Sequence, residues 1–148
     1  FAEILTMAYL GFFLKRLGFK KVITIGVAAY FMRYAIFGTE SFPVWVIVAS
    51  QAFHGFCYAF FFAAAFIYVD KLADEDVRHS AQTVFGIIIL GGGPVIGGWL
   101  SGYLQNIYTV ENIFNYSNFW YTVSAIGLAT MVFFYAFFRE QLVQREPQ

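Results

Sequence analysis

Three ionisable side chains lie inside runs of apolar residues: Glu3, Arg33 and His54. Burying a charge without a partner is costly, so each needs a reason to be there. An acid, a base and an imidazole together can bind a polar solute, keep a carboxylate ionised and carry a proton. The same three residues also fit a structural Glu3–Arg33 pair beside an inert His54. A further reading has Arg33 reaching back to water along its long stem, since Gly38 is only five residues away. The expense of charge in an apolar layer favours the functional reading. Around His54, the residues Gln51, His54 and Tyr58 follow a spacing of i, i+3 and i+7, which places three hydrogen-bonding groups on one helix face. Such a face lines a cavity, or ties helices together at about 1 kcal/mol or less per bond.

Other chemistry is not supported. His54 and His79 are far apart, and no metal-ligand spacing occurs. His54 and Cys57 share a face, but no orienting acid or oxyanion donors accompany them. No enzyme activity, cofactor or metal is expected. Cys57 is the single cysteine, so no intrachain disulfide can form.

The elements that must position these residues follow from composition. Hydrophobic residues make up 60% of the 148-residue chain and charged residues 12%, against about a quarter charged in soluble domains. The formal net charge is zero, which argues against a nucleic-acid partner. Five apolar segments stand out, at 1–14, 22–38, 43–69, 82–104 and 119–138. A spanning helix needs ~20 apolar residues. Strands of a membrane barrel would alternate polar and apolar, and the run Phe60-Phe-Phe-Ala-Ala-Ala-Phe-Ile67 does not. The expected fold is therefore all-α and integral to a membrane, with five transmembrane helices. The first segment is short, and the chain opens in mid-pattern without an initiator Met, so it is expected to be a fragment.

Short connections are expected at Lys15–Lys21, at Gly38–Phe42 ahead of a helix begun by Pro43, at Asp70–Ser80 and at Gln105–Asn118, with a fraying tail from Arg139. Loop cations fall on alternate connections: Lys15, Arg16, Lys20 and Lys21, then Lys71 and Arg78, then Arg139 and Arg145. Lys and Arg mark the cytoplasmic side, so the C-terminus is expected inside an inner or plasma membrane. With a helical rise of ~1.5 Å per residue, Glu3, Arg33 and His54 each fall ~16 Å into their segments, near the midplane of a ~30 Å core. In the fourth segment, Gly93, Gly97 and Ser101 form a small-residue stripe that predicts close helix packing. Pro94 predicts a kink. No Lys-Ser/Thr follows the glycines, which excludes a phosphate loop.

These motifs resemble a known superfamily. Gly11-Phe-Phe-Leu-Lys-Arg-Leu-Gly-Phe-Lys-Lys21 is similar to the cytoplasmic Gly-x-x-x-Asp-Arg-x-Gly-Arg-Lys loop of the major facilitator superfamily, with Lys15 where Asp is usual. The resemblance covers the whole chain and implies helices eight to twelve of twelve, the C-terminal bundle, with an N-terminal half as its partner. Glu3, Arg33 and His54 match the acid, base and imidazole of the lactose-permease-like branch, whose further Glu is replaced here by Cys57. The stretch His54-Gly-Phe-Cys-Tyr-Ala-Phe-Phe-Phe62, with Val69-Asp70 and Arg78-His-Ser-Ala-Gln82, resembles the nucleoside:proton symporter branch, where an Asp usually stands in place of Ala59.

The resemblance implies proton-coupled uptake of a small polar solute, a nucleoside, by alternating access in a lipid bilayer. Glu3 would bind solute, Arg33 would set its charge, and His54, Tyr58 and Gln51 would add hydrogen bonds. Gly11, Lys15, Arg16, Gly18, Lys20, Lys21 and Arg78 would form cytoplasmic gate and topology elements. An oligosaccharide symporter, or a non-transporting sensor or assembly protein on the same fold, are the alternatives.

Overall fold

The structure is a computed structural model and describes residues 2–141. Phe1 and residues 142–148, which include Arg145 of the expected tail, lie outside the described residues. Four helices are long and apolar enough to cross a membrane: α1 (Ala2–Gly38), α2 (Val44–Leu72), α3 (Arg78–Tyr108) and α4 (Tyr116–Phe137).

The loop expected over Lys15 to Lys21 is helical instead, apart from one residue. Gly18 has φ 78° and ψ 169°, a left-handed conformation that side chains with a Cβ resist. It divides α1 into two arms. Glu3 and Arg33 both touch His54. Thirty residues of straight helix would separate them by ~45 Å, so the arms must fold back against each other. One residue makes the turn, and the basic residues around it keep helical backbone angles. The charge pattern therefore marked where the two arms join, and missed that a single residue makes the join.

Both arms pack on α2. On the second arm, a Cβ at Gly26 would stand 2.7 Å from the backbone nitrogen of Phe61. The core at this crossing holds Leu10, Phe19, Val22, Ile23, Ala59, Phe60 and Ala64. Helix α2 widens into a π turn over Cys57–Ala63, directly after the residues of interest; such turns are frequent at functional sites.

The ends of the bundle differ in chemistry. At one end, Lys71 Nζ lies 4.9 Å from the Phe19 ring centre and Arg78 Nε lies 3.8 Å from Asp70 Oδ1. At the other, Thr39 bonds Tyr121 (2.9 Å), Ser117 Oγ donates to Gly38 O, and Tyr108 bonds Thr122 (2.6 Å). A two-stranded hairpin, β1 (Thr109–Val110) and β2 (Ile113–Phe114), joins α3 to α4. Its turn residues Glu111 and Asn112 both have positive φ, as a two-residue turn of matching twist requires. Asn115 then caps α4 by accepting from the Asn118 N–H at 2.9 Å.

Helix α3 departs from expectation in its small-residue stripe. A Cβ at Gly93 or Gly97 would meet nothing within 4 Å, and Ser101 is exposed. The small-residue stripe therefore has no partner within the described residues; spacing gives a helix the capacity to be approached closely but supplies no neighbour. Only Leu104 is buried along α3. Pro94 follows a π turn at Ile87–Gly92. Proline lacks an N–H and its ring crowds the carbonyl four residues back. A widened turn directly before the proline eases both constraints.

Candidate functional site

The three intramembrane ionisable residues form a connected chain. Arg33 Nη1 lies 3.1 Å from His54 Nδ1, and His54 Nε2 lies 3.3 Å from Glu3 Oε1. Arg33 Nη2 donates to Gln51 Oε1 at 2.7 Å. Two arms of α1 and one face of α2 thus meet in a single hydrogen-bonded group.

The pattern assigns the imidazole tautomer. Arginine can only donate, so Nδ1 must accept and the proton rests on Nε2, facing Glu3. The cation and carboxylate cancel, leaving a neutral group overall, which suits an apolar layer. A proton on Nδ1 would face the guanidinium N–H, so it requires Arg33 to move away. The Arg33 guanidinium also stacks near Phe37, 5.2 Å to the ring centre, and Tyr34, 5.8 Å, which holds its plane. Its Nε is buried and makes no hydrogen bond, while the Glu3 and His54 side chains are both 47% exposed on the open side of the bundle. Glu3, Gln51 and His54 line a cleft of about 540 Å³ with Ala2, Val48 and Gly55.

Two residues that the sequence reading passed over set the spacing. A Cβ at Gly55 would lie 2.7 Å from Ala2 C, 2.8 Å from Ala2 O and 2.9 Å from Glu3 N, all backbone atoms. Thr6 Oγ1 is 2.9 Å from Gly55 O and 2.8 Å from Ala2 O, and its single proton can serve either. A bare glycine thus lets the arm carrying Glu3 approach His54. The signal available in sequence was a glycine directly after a span-embedded histidine.

The other expected site residues are elsewhere. Tyr58 is one turn beyond His54 but is not bonded to the group. It lines a separate apolar cleft of about 420 Å³ with Met7, Phe62, Phe66 and Leu90. Arg78 sits by Asp70, which also accepts from Gln82 Nε2 at 3.1 Å; this ties α2 to α3. Gly11 is helical and open, Arg16 lies over Phe12, and Lys20 lies over Tyr135. Cys57 and Ala59, at positions where the resemblance implies carboxylates, are fully buried. No group of three metal-ligating side chains occurs among the described residues.

Comparison with known proteins adds the family. A profile described as Nucleoside H+ symporter matches residues 1–142. The chain belongs to the nucleoside H+ symporter family. Within it, the chain is 34% identical over 151 aligned positions to YegT of Escherichia coli (strain K12), a protein named provisionally as a nucleoside transporter, covering 95% of this chain and 35% of the relative. It is 28% identical over 146 positions to the nucleoside permease NupG of the same organism, covering 97% and 35%. The fold matches a crystal structure of a single-residue mutant of NupG with a TM-score of 0.85 at 29% identity, over 93% of this chain and 35% of that one. The chain therefore spans about a third of the length of the relatives it matches, and it shares a multi-pass helical transporter fold with them.

Proposed function

We propose that this chain is the C-terminal bundle of a major facilitator transporter, with Arg139 and Lys15–Lys21 on the cytoplasmic side, and that the full-length protein takes up a nucleoside together with protons by alternating access. The Arg33–His54–Glu3 contact chain, open on one side of a bundle that belongs to this family, is the observation that carries the reading. Family membership favours a nucleoside over an oligosaccharide. The exposed face of α3 and the open side of the cleft are where the remaining two-thirds of a transporter would close the path, since such folds hold solute near the midplane between two rocking bundles.

In this reading Glu3 accepts hydrogen bonds from a sugar hydroxyl, and Arg33 and Gln51 present donors and acceptors to the rest of the solute. The His54 imidazole bridges Arg33 and Glu3, so proton and solute act on one connected group. Uptake of labelled nucleoside into vesicles by the full-length parent, with and without an imposed proton gradient, tests this. Glu3→Gln should abolish gradient-driven uptake while membrane insertion stays intact. Normal uptake by that variant removes Glu3 from the mechanism. Absence of uptake by the unaltered parent, for every nucleoside tried, turns the reading toward the sensor or assembly protein.

A further inference from the structure

The turn in α1 leaves the N–H groups of Phe19 and Lys20 at the start of a new helical arm, where intrahelical acceptors are missing. Both are occupied from a distant part of the chain. The Phe19 N–H donates to Glu140 Oε1 at 3.0 Å and the Lys20 N–H to Glu140 Oε2 at 3.1 Å. The carboxylate also fills the space beside Gly18, where a Cβ would lie 2.9 Å from Oε2. Glu140 follows α4 in the segment expected to fray, and the neighbours of that segment are fixed too. Phe138 stacks on Phe134 (4.5 Å) and packs on Tyr68 (5.3 Å), Tyr68 packs on Phe19 (5.1 Å), and the Tyr68 hydroxyl accepts from the Gln141 N–H at 3.0 Å.

We propose that the N–H pair following Gly18 is a carboxylate-binding site whose ligand is the chain's own Glu140, and that this clasp fixes the angle between the two arms of α1. The chemistry is that of a helix N-terminus: two oriented donors, the positive end of the second arm's dipole, and an acceptor with two oxygens to match. The surrounding Lys20 and Lys71 are engaged with the Tyr135 and Phe19 rings, which leaves the backbone donors as the groups that seat the acid. The motif loop lacks its usual acid, with Lys15 in that place, and the carboxylate that reaches this turn comes instead from the far end of the chain.

The test is amide hydrogen exchange on the full-length parent in lipid nanodiscs, and it does not depend on transport, so it can fail without the proposed function failing. Glu140→Ala should raise exchange at Phe19 and Lys20 by about fivefold, as loss of a typical cap would, with residues 26–36 unchanged. Glu140→Gln keeps the side-chain volume and one acceptor oxygen, and should give a smaller rise; it also serves should the alanine variant fail to fold. Unchanged exchange at Phe19 and Lys20 in both variants overturns the proposal, as does an equal rise across residues 26–36.

Discussion

Gly55→Ala tests how the site is built. The new Cβ would stand 2.7 Å from Ala2 C. Ordinary carbon contact begins near ~3.5 Å, so the first arm of α1 must retreat by about 0.8 Å. Both partners are backbone, so no side-chain rotation relieves the clash. The same movement lengthens the Glu3–His54 contact from 3.3 Å to about 4.1 Å and the Thr6–Gly55 bond from 2.9 Å to about 3.7 Å, both past hydrogen-bond range. Overpacking of this kind costs about 1–3 kcal/mol. Where that cost falls on a positioned group, a sub-ångström displacement lowers activity by about tenfold to a hundredfold.

The assay is gradient-driven nucleoside uptake by the full-length parent, with insertion and thermal stability measured alongside. Gly86→Ala is the matched control: it is a helical glycine outside the site and the motif, and its Cβ would meet only the Phe66 ring, at an ordinary 3.7 Å. Uptake should fall by about tenfold or more in Gly55→Ala and stay near the unaltered level in Gly86→Ala. Full uptake in Gly55→Ala, in a protein that remains folded, would refute the argument that close approach at this glycine sets the site.

Arg33→Lys keeps the charge but loses the planar fork that reaches both His54 and Gln51; uptake should drop by about tenfold while insertion is unaffected. Ala59→Asp places a carboxylate at a position with no exposure, packed among Phe19, Val22 and Ile23; it should lower thermal stability by several kcal/mol, and an unchanged melting temperature would mean that water reaches this part of the core.

The convergence of Glu3, Arg33 and His54 was legible because helical rise is fixed and charges in apolar runs are few. Two arms and a returning helix bring any residues at equal depth to one level. The apolar pattern likewise marked the spans. What escaped was everything set by a single backbone residue or by a partner far away in sequence. Gly18 turns the chain while its basic neighbours stay helical, so the charge pattern marked the exit from the apolar layer but not the backbone conformation. Glu140 lies 121 residues from Phe19, and no local pattern links them. Gly55 was visible as a glycine, but Ala2 and Thr6 as its neighbours were not. The stripe of Gly93, Gly97 and Ser101 had a spacing that permits packing, and within these residues nothing uses it.

The position of Gly18 gives the turn leverage over the site. Glu3 is fifteen residues before it and Arg33 fifteen residues after it, so each lies ~22 Å along its arm. A change of about 5° in the angle between arms would shift the two side chains by ~2 Å relative to one another. Contacts of 3.1 and 3.3 Å do not survive such a shift, because hydrogen bonds weaken steeply with distance and angle. The bundle needs no large motion to open the Arg33–His54–Glu3 chain; it needs only a small one at the turn. The Gly55 crossing resists that motion near the site and the Glu140 clasp resists it at the turn itself. In the proposed transport cycle, opening the site requires that at least one of them loosen.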